Sequence, residues 1–101
     1  MGLESARQAL VRALKDGDYQ HEARDVLSEK NLLAVGIVSE GEVVVLLQRT
    51  RGDQYSTSPH DADQTVDVHV FRPEVKGQRW YIKAYFLDGP EGTATFISVH
   101  K

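Results

Sequence analysis

Four side chains in the second half of this chain could move protons and hold charge. His69, Tyr81, Lys83 and His100 supply an imidazole, a phenol, an ammonium and a second imidazole. Imidazole is the side chain best suited to acid/base work near neutral pH. Cleavage of RNA at its 2′-OH needs a base for that hydroxyl, an acid for the leaving 5′-oxygen, and a cation for the charge on phosphorus. His69, Tyr81 and His100 are therefore the catalytic candidates. Lys83 and Arg72 can hold a phosphate. No local spacing motif ties these residues together, and a solvated sheet face would use the same types.

Two other sets have weaker claims. His60, Asp61, Asp63 and His69 are ligand types, but their spacing matches no standard metal site, and no metal is expected. Tyr55, Ser56, Thr57 and Ser58 follow Arg49 and Arg51. Hydroxyls, a ring and arginines in one loop could hold a phosphate and stack a base. A polar loop anchored by one tyrosine is the competing reading. The chain has no P-loop, dinucleotide fingerprint or nucleophile elbow.

The positions of these groups depend on two strands. Val66, Val68 and Val70 alternate with Asp67, His69 and Phe71, and Arg72-Pro73 ends the run. Trp80, Ile82, Ala84 and Phe86 alternate with Tyr81, Lys83 and Tyr85. If the valine face and the Trp face share one core, the opposite faces bring His69, Tyr81 and Lys83 together. Thr93 to His100 forms a further strand after the turn 88–92, with Ile97 and Val99 inward and Phe96, Ser98 and His100 on the other face.

The N-terminal third reads as helical. Ala6, Leu10, Ala13 and Leu14 recur at helical spacing, and Gly17 can cap the helix end. Asp18 could cap a second helix over 19–29, making residues 1–31 a helical hairpin. Leu32 to Val38 reads as a short strand. Ser39 and Glu42 have capping-box spacing, which allows a short helix within 40–50, although the β-branched run Val43-Val44-Val45 suits a strand or hairpin. Residues 51–64 read as a polar loop. The fold expected is α+β, one domain of 101 residues, with N-terminal helices on one face of a small antiparallel sheet.

Composition narrows the function classes. Net charge is −3, from 12 Lys/Arg against 15 Asp/Glu, so there is no global basic field for nucleic acid. The acidic excess lies in residues 1–48, which hold 5 basic and 8 acidic residues, whereas residues 49–101 hold 7 of each. A local patch from Arg49, Arg51, Arg72, Lys76, Arg79 and Lys83 is compatible with those totals. No run is apolar enough for a membrane span, and no cysteine is present for disulfides or thiolate sites. A cytoplasmic protein is expected.

The order of residues from about Leu33 to His100 resembles the MqsR family of type II toxins, messenger-RNA endoribonucleases with a RelE-like architecture. The resemblance rests on Asp53-Gln54-Tyr55, a Ser/Thr loop, Val70-Phe71-Arg72-Pro73, Gly77, Tyr81-Ile82-Lys83 and Phe96-Ile97-Ser98. It implies a helix at Val43 to Leu47. In that family catalysis is attributed to a loop Lys, a strand Gln, the Tyr of Tyr-x-Lys and a Lys near the C-terminus. Here those positions are Ser56, Val68, Tyr81 and His100.

The resemblance implies a ribosome-independent, metal- and cofactor-free endoribonuclease. Its partners would be mRNA and a cognate antitoxin, with no membrane and with DNA reached only through an antitoxin complex. The candidate substrate-binding residues are Arg51, Tyr55, Ser56, Arg72 and Lys83. The alternative is a non-catalytic protein-binding or regulatory module on the same fold. A metal-dependent enzyme using His60 and His69 ranks last.

Overall fold

Helical spacing at the N-terminus becomes α1 (Leu3–Asp16), which buries Ala6, Ala9, Leu10 and Leu14. Gly17 ends it at φ 70°, in the left-handed region that costs glycine little. The capping box also forms. Ser39 Oγ accepts from the Glu42 N–H, and Glu42 Oε1 accepts from the Ser39 N–H, starting α2 (Glu40–Gln48). The cap settles the ambiguity of the β-branched run in favour of helix. Val43, Leu46 and Leu47 face inward and Val45 outward.

The computed structural model describes residues 2–22, 30–87, 89 and 92–101. The fold is α+β, as expected. A five-stranded sheet runs β1 (Tyr19–His21), β7 (Thr93–His100), β6 (Tyr81–Leu87), β3 (Asp67–Phe71), β2 (Tyr55–Pro59) in that spatial order. All pairs are antiparallel except β1 with β7, which makes the sheet mixed. β4 (Glu74–Val75) and β5 (Gln78–Arg79) form a separate hairpin, turned by Lys76 and Gly77 with φ of 53° and 77°.

Three sequence expectations fail on local grounds. Residues 19–21 are strand, so the second helix expected over 19–29 does not begin at Tyr19; Lys30 is helical, and 23–29 lie outside the described residues. Residues 32–38 are turns. There Asn31 Oδ1 accepts from the Ala34 N–H and Leu32 C=O accepts from Ile37 and Val38, so the chain closes on itself after one bridge to Val99. The supposed loop 51–64 contains β2, whose Ser-Thr-Ser run carries no apolar alternation because it is an exposed edge strand.

The helices cover one face of the sheet. Leu10, Leu14, Val43 and Leu47 share a core with Phe71, Ile82, Phe86, Phe96 and Val99. Each fully buried side chain of this size contributes about 1.5–3 kcal/mol. Arg7 fixes the helix pair. Its Nη1 donates to the carbonyls of Leu47 at 3.1 Å, Gln48 at 3.4 Å and Thr50 at 2.7 Å, and Nη2 pairs with Glu4. The guanidinium thereby binds carbonyls at and just beyond the end of α2, of which Leu47 also accepts from the Thr50 N–H, and places a cation at the negative dipole end.

Tyr19 joins β1 to α2 by donating its hydroxyl to Glu40 Oε2 at 2.6 Å. Burial and that carboxylate push its pKa up to about 12. Replacing Arg7 by Met keeps the aliphatic packing but removes the charged donor from the Leu47, Gln48 and Thr50 carbonyls. The expected loss is about 1.5–3 kcal/mol, the scale of hydrogen bonds to a charged group. It should appear in urea melts as a lower midpoint at unchanged slope.

Candidate functional site

The register of β6 decides what each sheet face carries. Ile82, Ala84 and Phe86 point to the helices, so Tyr81, Lys83 and Tyr85 point to the second face. On β3, Phe71 pairs Ile82 and His69 pairs Ala84. His69 and Phe71 therefore face the helices, and Val68 and Val70 join Tyr85 and Lys83 on the second face. The expectation that valines and Trp face share one core is wrong. The reason is a second small cluster, Val68, Val70 and Ile97, packed with Tyr81 and Tyr85.

His69 accordingly does not stand with Tyr81 and Lys83. It is 3% exposed, shares a 2.7 Å hydrogen bond at Nδ1 with the Tyr55 hydroxyl, and lies edge-on to Phe86. Burial lowers the His69 pKa and raises that of Tyr55, so both are neutral and serve the core. Neither meets the second-face groups. The fourth strand also differs from its sequence reading. A bulge between Lys83 and Ala84 sets Ser98 opposite Lys83 and Phe96 opposite Ala84, so Ile97 is the extra residue. Phe96 thus turns inward and Ile97 outward.

On the second face, side chains line up in rows across the strands. Tyr81 pairs His100 on β7, with ring centroids 5.2 Å apart. Across β3, Arg72 falls opposite Tyr81, because Phe71 pairs Ile82 and Pro73 accepts from the Trp80 N–H. Arg72 donates Nη2 to Ser56 Oγ at 2.9 Å. The next row runs Ser56, Val70, Lys83, Ser98, and the third runs Ser58, Val68, Tyr85, Thr95, Gln20. The structure therefore brings together Tyr81, His100, Arg72, Ser56 and Lys83. Arg51 stays apart, exposed and paired with Asp53 at 3.5 Å.

The protons on His100 are assigned by its neighbours. Nδ1 lies 2.9 Å from the backbone oxygen of Lys101. A backbone oxygen only accepts, so Nδ1 carries a hydrogen, and in the neutral ring the lone pair is on Nε2. Lys101 in turn places its ammonium 5.3 Å from the Trp80 ring centre.

Sequence reading missed the far end of this face. Glu22 follows β1 and His60 follows β2, the two opposite edges of the sheet, yet they meet. His60 Nδ1 accepts from the Ala62 N–H at 3.0 Å, so Nε2–H donates to Glu22 Oε1 at 2.8 Å. The Tyr85 hydroxyl lies 3.4 Å from the same oxygen, and its ring packs against His60. Tyr85 was legible in the alternation along β6. A bond between residues 38 apart was not.

The grouping of His60, Asp61, Asp63 and His69 as ligands also breaks up. His60 is on the second face and His69 beneath the helices. Asp63 accepts from the backbone and side chain of Thr65. Among the described residues no cluster of three or more ligand side chains is present. No family model matches the chain, and no curated protein matches it.

The buried histidines make stability depend on pH. Burial lowers the pKa of His21 and of His69 below the ordinary 6.5. The unfolded chain then binds more protons than the native one once pH falls below 6.5, so stability drops there and is level above it. Urea midpoints should be flat from pH 8 to 7 and decline toward pH 5. His69→Phe should retain less of that decline than wild type shows.

Proposed function

We propose that this protein is a metal-independent endoribonuclease acting at the row Arg72, Tyr81, His100. The observation that carries the reading is His100 itself. Its hydrogen is committed at Nδ1, its Nε2 lone pair is open, and a phenol and a guanidinium occupy the same row. Nε2 takes the proton of the ribose 2′-OH. The 2′-oxygen bonds to phosphorus, and the bond to the 5′-oxygen breaks. The products are a 2′,3′-cyclic phosphate and a 5′-hydroxyl, the latter protonated by Tyr81 or water. Tyr81 and Arg72 donate to the phosphate oxygens as charge builds on them.

The order of Arg72-Pro73, Gly77 and Tyr81-Ile82-Lys83 supports the wider reading as an MqsR-like toxin, cytoplasmic and held in check by an antitoxin. Among the described residues no helix is long and apolar enough to cross a membrane. One observation favours the alternative, a protein-binding module on the same fold. Val68, at the position of the family's catalytic Gln, is 1% exposed and packs with Ile97. The site of this chain therefore differs in chemistry, and His100 has to supply the base.

The test is induction of the protein alone in a bacterial host, with mapping of cellular RNA ends. Growth arrest with new ends is expected. His100→Ala should slow cleavage of a model RNA by the purified protein about 10²–10⁴-fold, as for loss of a general base. Tyr81→Phe should cost about 10²–10³-fold, as for loss of one donor to the transition state. An arrest unchanged by both substitutions would leave the protein-binding module as the reading.

A further inference from the structure

Beneath the segment that follows β2 is a cavity of about 40 Å³, lined by Ser58, Pro59, His60, Asp61, Val68, Lys83 and Ile97. We propose that this cavity is an oxyanion subsite that holds the phosphate next to the one cleaved. Its place in RNA recognition rests on the nuclease reading above; its chemistry does not.

Three observations converge on it. First, Lys83 is half-buried, and among the described residues it forms neither an ion pair nor a hydrogen bond. Holding an ammonium partly out of water without a direct ion pair is unfavourable, so an anion bound against it is favoured. Arg72, Arg7 and Arg79, by contrast, all have partners.

Second, the size of the cavity selects its ligand. Its volume is that of roughly three water molecules. A tetrahedral oxyanion fits that space and a nucleobase does not. The lining is predominantly polar, and the Ser58 hydroxyl can donate beside Lys83. Asp61 also lines the cavity, but it is exposed, so water screens its charge. The other carboxylate nearby, Glu22, is turned toward the His60 Nε2–H.

Third, the spacing suits a polynucleotide. Lys83 lies two residues from Tyr81 along β6, about 7 Å. That is the separation of neighbouring phosphates along an extended strand. A phosphate at Lys83 would set its neighbour over Tyr81 and His100. Tyr85 is a further pair of residues along β6, about 13 Å from Tyr81, too far to act on the same phosphorus.

The experiment follows the amide and side-chain resonances of Ser58, His60 and Lys83 during titration with inorganic phosphate. A 2′-O-methyl oligonucleotide, which cannot be cleaved, serves as the second probe. Phosphate should shift these resonances with millimolar affinity, and the shifts should fall at least tenfold in affinity in Lys83→Met. Ser58→Ala, on an exposed edge strand, should weaken binding several-fold without disturbing the fold. Lys83→Met should also reduce the salt slope of oligonucleotide binding by about 0.7, the loss of one phosphate contact on a single strand.

Phosphate that leaves the three residues unmoved overturns the proposal. So do shifts that persist unchanged in Lys83→Met. Phosphate binding at Lys83 without oligonucleotide binding upholds the oxyanion site and removes the nuclease reading. Oligonucleotide binding with an unchanged salt slope in Lys83→Met overturns the assignment of the adjacent phosphate.

Discussion

The register of β6 against its two neighbours controls the rest of the molecule. Ile82, Ala84 and Phe86 can be buried under α1 and α2 only if Tyr81, Lys83 and Tyr85 face the other way. A slip of one residue would place an ammonium and two phenols in the apolar core, at a cost of several kcal/mol. β3 is pinned to β6 by Phe71 opposite Ile82, and β7 by Val99 opposite the same residue. Arg72 and His100 lie one residue beyond those anchors. The apolar core under the helices thus aligns the polar row on the opposite face of the sheet.

That dependence explains which parts of the fold were legible in the sequence. α1, α2, β6 and β7 carry strong local signals: helical spacing, a capping box, and β-branched or aromatic runs bounded by turns. β2 carries none, because an edge strand paired on one side needs no apolar alternation. The turn at 32–38 carries a false one. Its Leu and Val residues resemble a strand, but Leu33 and Val38 are buried from a turn that Asn31 organises. Sequence pattern reports burial more faithfully than it reports backbone geometry.

The candidate site was half legible for the same reason. Tyr81 and Lys83 follow from alternation along one strand, and His100 from its place at the end of β7. His69 was placed on the wrong face by the assumption of a single core. Two apolar faces on β3 and β6 need not meet, since three small side chains, Val68, Val70 and Ile97, suffice for a cluster of their own. The bulge at Lys83/Ala84 then inverts the alternation along β7, which no period-two reading anticipates. The Glu22–His60 bond joins the ends of opposite edge strands and is purely tertiary.

The four histidines show why residue type alone could not locate the chemistry. His21 Nδ1 accepts from Asn31, whose own oxygen is fixed by the Ala34 N–H. His69 is bonded to Tyr55 in the core. His60 has both nitrogens engaged, one with Ala62 and one with Glu22. His21 and His60 would have to break a bond in a partly buried setting before taking a proton, at about 1–3 kcal/mol for every group left unsatisfied, and His69 is closed off by its burial. His100 need break none, because its single bond, to the Lys101 oxygen, uses the nitrogen that already bears hydrogen. The bond even helps, since it fixes which nitrogen is basic and holds the ring beside Tyr81. Among four groups of identical intrinsic chemistry, the hydrogen bonds the fold has already made leave one ring ready to act as a base.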